Sequence, residues 1–223
     1  MHLQINKKIF IYFFLLILLG TFNNKNFQNI KFPKIKKIDV TGLYEDENLK
    51  LANSLNQFKS QSLFSIDKFK IEKILNSNNL IEQHSINKKY PSSLAIKIDR
   101  TKFLARIFKD GKNYYLGSNG KLIEYKKENR KLPFIFGEFK NEDFFDLFEI
   151  INNTQFNFSE IKNLFSFSSG RWDIETYSGI LVKLPKVNLK QAFNLSLQIM
   201  NNKKFDKIKM IDIRQSNQVI ING

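Results

Sequence analysis

Residues 161–184 read IKNLFSFSSGRWDIETYSGILVKL, and their reading decides the fold. Three runs, 161–167, 171–177 and 180–184, are rich in strand-forming residues. Apolar and polar positions alternate along 171–175, as the two faces of a strand require. Ser168-Ser169-Gly170 and Ser178-Gly179 separate the runs, and serine with glycine is turn chemistry. A β-meander is therefore expected here.

Outward from the meander the pattern continues. On the N-terminal side, residues 105–108, 114–116 and 121–125 are short strand candidates. They are divided by Asp110-Gly111 and Asn119-Gly120, strong hairpin signals. Residues 134–136 suggest another strand, and 143–152 place Phe144, Leu147, Phe148 and Ile151 on one helical face. On the C-terminal side, 189–200 predicts a helix with Ala192, Phe193, Leu195, Leu197, Ile199 and Met200. Residues 207–214 and 218–221 predict the last two strands.

A different unit precedes this one. Residues 35–40 alternate like a strand, and Thr41-Gly42-Leu43 reads as a turn. Residues 45–58 carry Leu49, Ala52, Leu55 and Phe58 at helical spacing, behind acids that suit a helix N-terminus. Asp67 is an N-cap candidate for a second helix that buries Ile71, Ile74 and Leu75. Residues 81–89 and 94–100 predict two strands around Tyr90-Pro91-Ser92-Ser93. The order strand, helix, helix, strand, strand describes a small α/β unit that ends near residues 100–103.

Residues 9–22, IFIYFFLLILLGTF, form an uninterrupted apolar run. As a helix these 14 residues cover roughly 21 Å of a bilayer core about 30 Å thick. Ile5 and the stems of Lys7 and Lys8 can extend it. Gly20-Thr21-Phe22-Asn23-Asn24 offers no small-x-small cleavage site, so an uncleaved transmembrane anchor is expected. Lys7 and Lys8 flank one side, while Lys25, Lys31, Lys34, Lys36 and Lys37 follow on the other, so charge does not set the orientation. A tail this short usually stays cytoplasmic, which places the body outside. The expected division is a tail at 1–8, a transmembrane helix at 9–22, a linker at 23–34, a small α/β domain at 35–101 and a β domain at 102–223. The fold class is α+β, the second domain being mainly antiparallel with two helices.

Composition excludes several functions. The chain has no cysteine, which removes disulfides, thiolate metal sites and cysteine nucleophiles, and it suits an oxidising periplasm. Its net charge is +15, but the lysines are scattered and lack an arginine–aromatic platform, so no nucleic-acid partner is expected. A modest attraction to anionic headgroups is expected near residues 31–37. His2 and His84 have no histidine neighbours, and Glu45-Asp46-Glu47 and Glu142-Asp143 sit where helix dipoles explain them. Phosphate-loop, nucleophile-elbow and zinc-helix motifs are absent. The chain reads as a binding module, not an enzyme, with no catalytic residues, cofactor or metal.

Seven short patterns occur in order: Ile38-Asp39-Val40-Thr41-Gly42-Leu43, Tyr90-Pro91-Ser92-Ser93-Leu94, Asn119-Gly120-Lys121-Leu122-Ile123, Leu132-Pro133-Phe134-Ile135-Phe136-Gly137, Gly170-Arg171-Trp172-Asp173, Ser178-Gly179-Ile180-Leu181-Val182-Lys183-Leu184 and Ile211-Asp212-Ile213-Arg214. Behind one N-terminal anchor, this order resembles the FtsQ/DivIB family of bacterial cell-division proteins over nearly the whole chain. The resemblance implies a POTRA domain followed by a β domain. It also implies a divisome scaffold anchored in the inner membrane, with a periplasmic body at the division septum and FtsB and FtsL as partners. FtsB would add a strand to the C-terminal sheet edge. The matching partner-binding positions are Arg171, Trp172, Arg214, Gln215, Ser216, Asn217 and Val219. The recruitment region for other divisome proteins maps to Val40, Thr41, Gly42, Leu43, Tyr90 and Pro91.

The residues leave some choices open. Trp172 suits core filling as well as contact. Arg214 suits a surface charge as well as bidentate capture of a partner carboxylate. Val219, Ile220 and Ile221 predict an apolar edge strand that needs cover. A POTRA-bearing envelope chaperone or translocation component, and a periplasmic hydrolase, are the competing readings.

Overall fold

A computed structural model describes residues 7–22, 32–126, 131–202, 208–215 and 218–223. By its contacts the chain divides into two units, Met1–Ile71 with Ser85–Lys97, and Glu72–His84 with Ile98–Gly223.

The first helix, α1, spans Lys7–Phe22. Its side chains from Ile9 to Leu19 are exposed on every face. No described helix is long and apolar enough to cross a membrane, since α1 has 16 residues.

A three-stranded sheet follows, with β3 (Ser93–Arg100) between β1 (Lys37–Thr41) and β2 (Ile81–Lys89). β1 runs parallel to β3, from Lys37 beside Ser93 to Thr41 beside Lys97. Gly42 turns the chain out of β1 at a φ of 113°, which a side chain would resist. Helix α2 (Glu45–Ser54) starts on three acids, and Glu47 accepts a hydrogen bond from the Tyr44 N–H at 3.1 Å. The sequence predicts one helix to residue 58, but α2 stops at Ser54. Ser54 Oγ donates back to Leu51 O at 2.7 Å, and a 3₁₀ turn, Asn56–Ser60, continues the path. Asp67 caps α3 (Lys68–Asn76), its Oδ1 accepting from the Phe69 N–H at 3.1 Å. Leu51, Leu55, Leu63, Ile71, Leu94 and Ile96 are buried.

A nine-stranded sheet builds most of the second unit. Its strands are β4 (Phe103–Lys109), β5 (Lys112–Gly117), β6 (Leu122–Glu124), β7 (Phe134–Phe136), β8 (Ile161–Ser166), β9 (Trp172–Thr176), β10 (Leu181–Lys183), β11 (Met210–Gln215) and β12 (Gln218–Asn222). The spatial order is β12-β11-β10-β9-β8-β7-β4-β5-β6. β8, β9 and β10 form the expected antiparallel meander. The β4–β7, β7–β8 and β10–β11 pairs are parallel and the other neighbours antiparallel, so the sheet is mixed.

One face of this sheet carries the core. Cross-strand partners Ile107, Ile135, Leu164, Ile174, Val182, Ile211 and Ile221 make a continuous apolar row. Helices α4 (Asn141–Asn152) and α5 (Leu189–Met200) supply the other half, through Phe144, Leu147, Ile151, Ala192 and Phe193. Gly137 closes β7 at a φ of 87°, where a Cβ would run into the Ser166 carbonyl oxygen.

Candidate functional site

A one-residue step along each strand moves from the apolar row to the opposite face. That second row reads Phe136, Phe165, Asp173, Lys183, Asp212 and Ile220. It places two acids around a lysine and ends at β12, an edge of the sheet among the described residues. Arg171 and Arg214 lie two residues from Asp173 and Asp212, so along a strand each pair shares a face. The structure thus joins the two sequence-predicted arginines through Asp173, Lys183 and Asp212.

The two ion pairs differ. Arg214 grips Asp212 with its fork: Nε lies 2.8 and 3.0 Å from the two carboxylate oxygens, and Nη2 lies 2.6 Å from Oδ2. The Arg214 N–H also donates to Asp212 Oδ1 at 3.1 Å. These hydrogen bonds hold the Asp212 carboxyl below its ordinary value, against the opposing effect of burial. Arg171 Nε lies 3.3 Å from Asp173 Oδ1, an ion pair in which neither atom has a hydrogen bond. Arg171 Nη2 donates a long hydrogen bond to Asp173 Oδ2 at 3.5 Å, and the guanidinium stacks over the Phe167 ring at 4.1 Å. Burial pushes the Asp173 carboxyl up, although Arg171, Lys183 and Arg214 pull it down.

At the edge, Asp212, Arg214, Gln215, Gln218 and Ile220 line a shallow cavity of about 260 Å³. β12 alternates outward Gln218, Ile220 and Asn222 with half-buried Val219 and Ile221. Ile220 is 47% exposed, a large apolar side chain beside a charged pair. Val219 packs against the core, so its contribution to the edge is its backbone. Gln215 is exposed opposite Gln218, and Ser216 and Asn217 lie outside the described residues.

Trp172 is placed differently from its neighbours in the predicted set. It is only 2% exposed and meets the Phe139 ring at 5.9 Å inside the core cluster. Of its two sequence-level readings, core filling matches this position.

The predicted recruitment region does not form one patch. Tyr90 and Pro91 precede Ser93, the partner of Lys37 at the start of β1. Val40 and Thr41 end β1, and Gly42 and Leu43 follow. The two groups therefore lie at opposite ends of β1, four residues or roughly 13 Å apart along the strand. Leu43 is buried, its N–H and carbonyl both held by Asn48 at 3.2 and 2.9 Å.

Sequence reasoning overlooked Asp173, Lys183 and Asp212 as site residues. A signal existed: Arg171-x-Asp173 and Asp212-x-Arg214 are mirrored i, i+2 pairs, the first at the entry of β9 and the second within β11. Among the described residues no group of three or more His, Cys, Asp or Glu could hold a metal ion.

Comparison with known proteins matches both units of the chain. The family model described as "POTRA domain, FtsQ-type" matches residues 33–99. The model described as "Cell division protein FtsQ/DivIB, C-terminal" matches residues 105–214. A curated relative, the cell division protein FtsQ of Rickettsia bellii (strain RML369-C), is 22% identical over 194 residues, covering 84% of this chain and 72% of the relative.

Proposed function

The chain belongs to the FtsQ/DivIB family of cell-division proteins, and from that premise we propose that it is a divisome scaffold whose β12 edge captures a partner strand. The observation that carries the proposal is the exposed β12, with Ile220 facing solvent beside the Asp212–Arg214 pair. An edge strand offers unpaired backbone groups, and an incoming segment satisfies them while side-chain pockets give selectivity. FtsB is the proposed strand donor, with FtsL alongside it. The cavity beside Arg214 suits a side chain of that segment, and Arg214 and Gln215 would set its register.

The body works while tethered. The support is α1, apolar and exposed on every face from Ile9 to Leu19, a surface that needs lipid or protein cover. Its 16 residues span roughly 24 Å, short of a bilayer core by a few residues. We place α1 in the inner membrane, the body in the periplasm and the protein at the septum. The recruitment of further divisome proteins falls to the POTRA-type region, through its two separate surfaces at 40–43 and 90–91.

The test is proline scanning of β12. Neighbouring residues of an antiparallel strand turn their N–H groups to opposite sides, so one of Val219 and Ile220 donates outward. Val219→Pro and Ile220→Pro are compared for melting temperature and for binding of the FtsB periplasmic segment. The variant that keeps the parent's melting temperature is expected to bind at least ten times more weakly. Undiminished binding by a folded variant with proline at the outward position overturns strand addition.

A further inference from the structure

Three aromatic side chains that no partner-strand reading uses meet on the surface of the first unit; one of them, Tyr90, also belongs to the 90–91 recruitment surface, which a lipid contact would cover. Phe64 lies 4.2 Å from Phe32 and 5.1 Å from Tyr90, measured between ring centroids. All three are open to solvent, at 48% for Phe32, 55% for Phe64 and 59% for Tyr90. Single exposed apolar residues are ordinary, but three in contact form a patch that needs an occupant.

The fold holds this patch together. Lys34 bridges Ser62, the Ile35 N–H donates to Gln61 O at 2.9 Å, and the Lys36 N–H donates to Ser92 O at 2.8 Å. These bonds bring the segments around Phe32, Phe64 and Tyr90 side by side. Phe64 points outward because Leu63 and Ile66 on either side of it are buried, and a turn closed by the Ser65 N–H to Ser62 O fixes that alternation.

The segments that carry the three rings bring charge of one sign. Residues 32–37, 58–66 and 85–93 contain Lys34, Lys36, Lys37, Lys59, Lys88 and Lys89 and no acid. All six lysines are exposed, and only Lys37 has a carboxylate among the ion pairs described, Asp39 at 2.8 Å. Exposed aromatic rings on lysine-rich segments match the chemistry of a membrane interface: rings enter the headgroup layer and ammonium groups meet anionic phosphates.

Chain length fixes the opportunity. Phe32 follows the last residue of α1, Phe22, by ten residues. A fully extended chain of that length reaches roughly 35 Å at most. If α1 is the anchor, the patch is never far from the lipid surface.

We propose that Phe32, Phe64 and Tyr90, with the lysines of their segments, form a second membrane contact that docks the first unit on anionic lipid headgroups. This rests on the reading of α1 as the anchor. The contact would restrict the swing of the tethered body.

The full chain is reconstituted into vesicles whose lipids carry brominated acyl chains, which quench tryptophan on contact. One set is phosphatidylglycerol with phosphatidylethanolamine, the other phosphatidylcholine. The parent's single tryptophan, Trp172, is buried and gives the baseline. Leu15→Trp reports insertion of α1, and Phe64→Trp reports the patch. The expected result is strong quenching of Leu15→Trp in both vesicle sets. Phe64→Trp should lose at least twice the parent's fraction of emission in phosphatidylglycerol vesicles, and less in phosphatidylcholine. Quenched Leu15→Trp with unquenched Phe64→Trp overturns the patch and leaves the anchor standing; a patch that docks another protein gives this outcome. Equal Phe64→Trp quenching in both sets overturns the recognition of anionic headgroups. Failure of Leu15→Trp to be quenched overturns the anchor and the patch with it.

Discussion

The nine-stranded sheet has two edges, and they are built to opposite ends. β6 has three residues and is closed in several ways. The Gly117 N–H donates to Lys121 O and the Tyr125 N–H to Asn113 O, so Leu122 between them turns its carbonyl outward. Asn79 Nδ2 occupies that carbonyl at 2.8 Å. Glu124 is paired with Lys112 at 2.9 Å. Short length, charge and an occupied carbonyl are the usual devices that stop an edge from recruiting another strand. β12 has five residues and presents Ile220 to solvent. One edge is guarded and the other is open with an exposed Ile220, and that contrast is what supports the proposal of docking at β12.

The comparison can be broken most forcefully through the core that both edges share. Trp172 is buried against Phe139 beneath the sheet, and Trp172→Ala should cost about 3–5 kcal/mol of stability. The melting temperature should fall by on the order of 10–20 °C, and partner capture should disappear only as the protein unfolds. If the variant remains folded at the assay temperature and capture is lost, Trp172 belongs to the interface and the edge is not the whole site.

A matched pair of edge substitutions tests the difference directly. Ile220→Lys puts a strongly hydrated charge where β12 is apolar, and Glu124→Lys alters the guarded edge. The first should weaken partner capture at least tenfold, about 1.4 kcal/mol, and the second should leave it within twofold. Titration calorimetry with the FtsB periplasmic segment reads both. Equal effects would mean that neither edge is special.

Much of this was legible in the sequence because its signals are local. Strand 81–89, strand 134–136 and helix 189–200 were predicted with the bounds observed, each being framed by turn residues or strong periodicity. The end of α2 was not, because Ser54 bonding back to Leu51 is a choice of side-chain rotamer. Arg171 and Arg214 could be singled out as residues, but their connection through Asp173, Lys183 and Asp212 depends on strand order. The β10–β11 pairing that completes it joins segments separated by α5, and no local pattern announces that parallel register. The aromatic trio was missed for the same reason: Phe32, Phe64 and Tyr90 are far apart in sequence and meet only through the β1–β3 pairing and the bridge at Lys34.

The smallest expected effect separates the two acids of the charged row. Asp212, held below its ordinary value of 3.8 by Arg214, stabilises the fold above that value, and this stability is lost as the pH falls through its folded value below 3.8. Asp173, raised from the same ordinary value by burial, has the opposite sign: stability is fullest below 3.8 and declines as the pH rises through its folded value above 3.8. The groups facing Asp173 are Arg171, Lys183, Arg214 and Asp212, so the two titrations are linked. Melting temperature followed from pH 7 to pH 3 should therefore show Asp212→Asn flattening the acid limb, and Asp173→Asn flattening the region just above 3.8 instead. The Asp212 effect should report on the proposed docking edge, because its carboxylate is what holds the Arg214 guanidinium beside the β12 cavity. If Asp212→Asn changes the acid limb but leaves partner capture untouched, Arg214 does not set the register of the incoming strand, and the contrast between the two edges reduces to the backbone and Ile220.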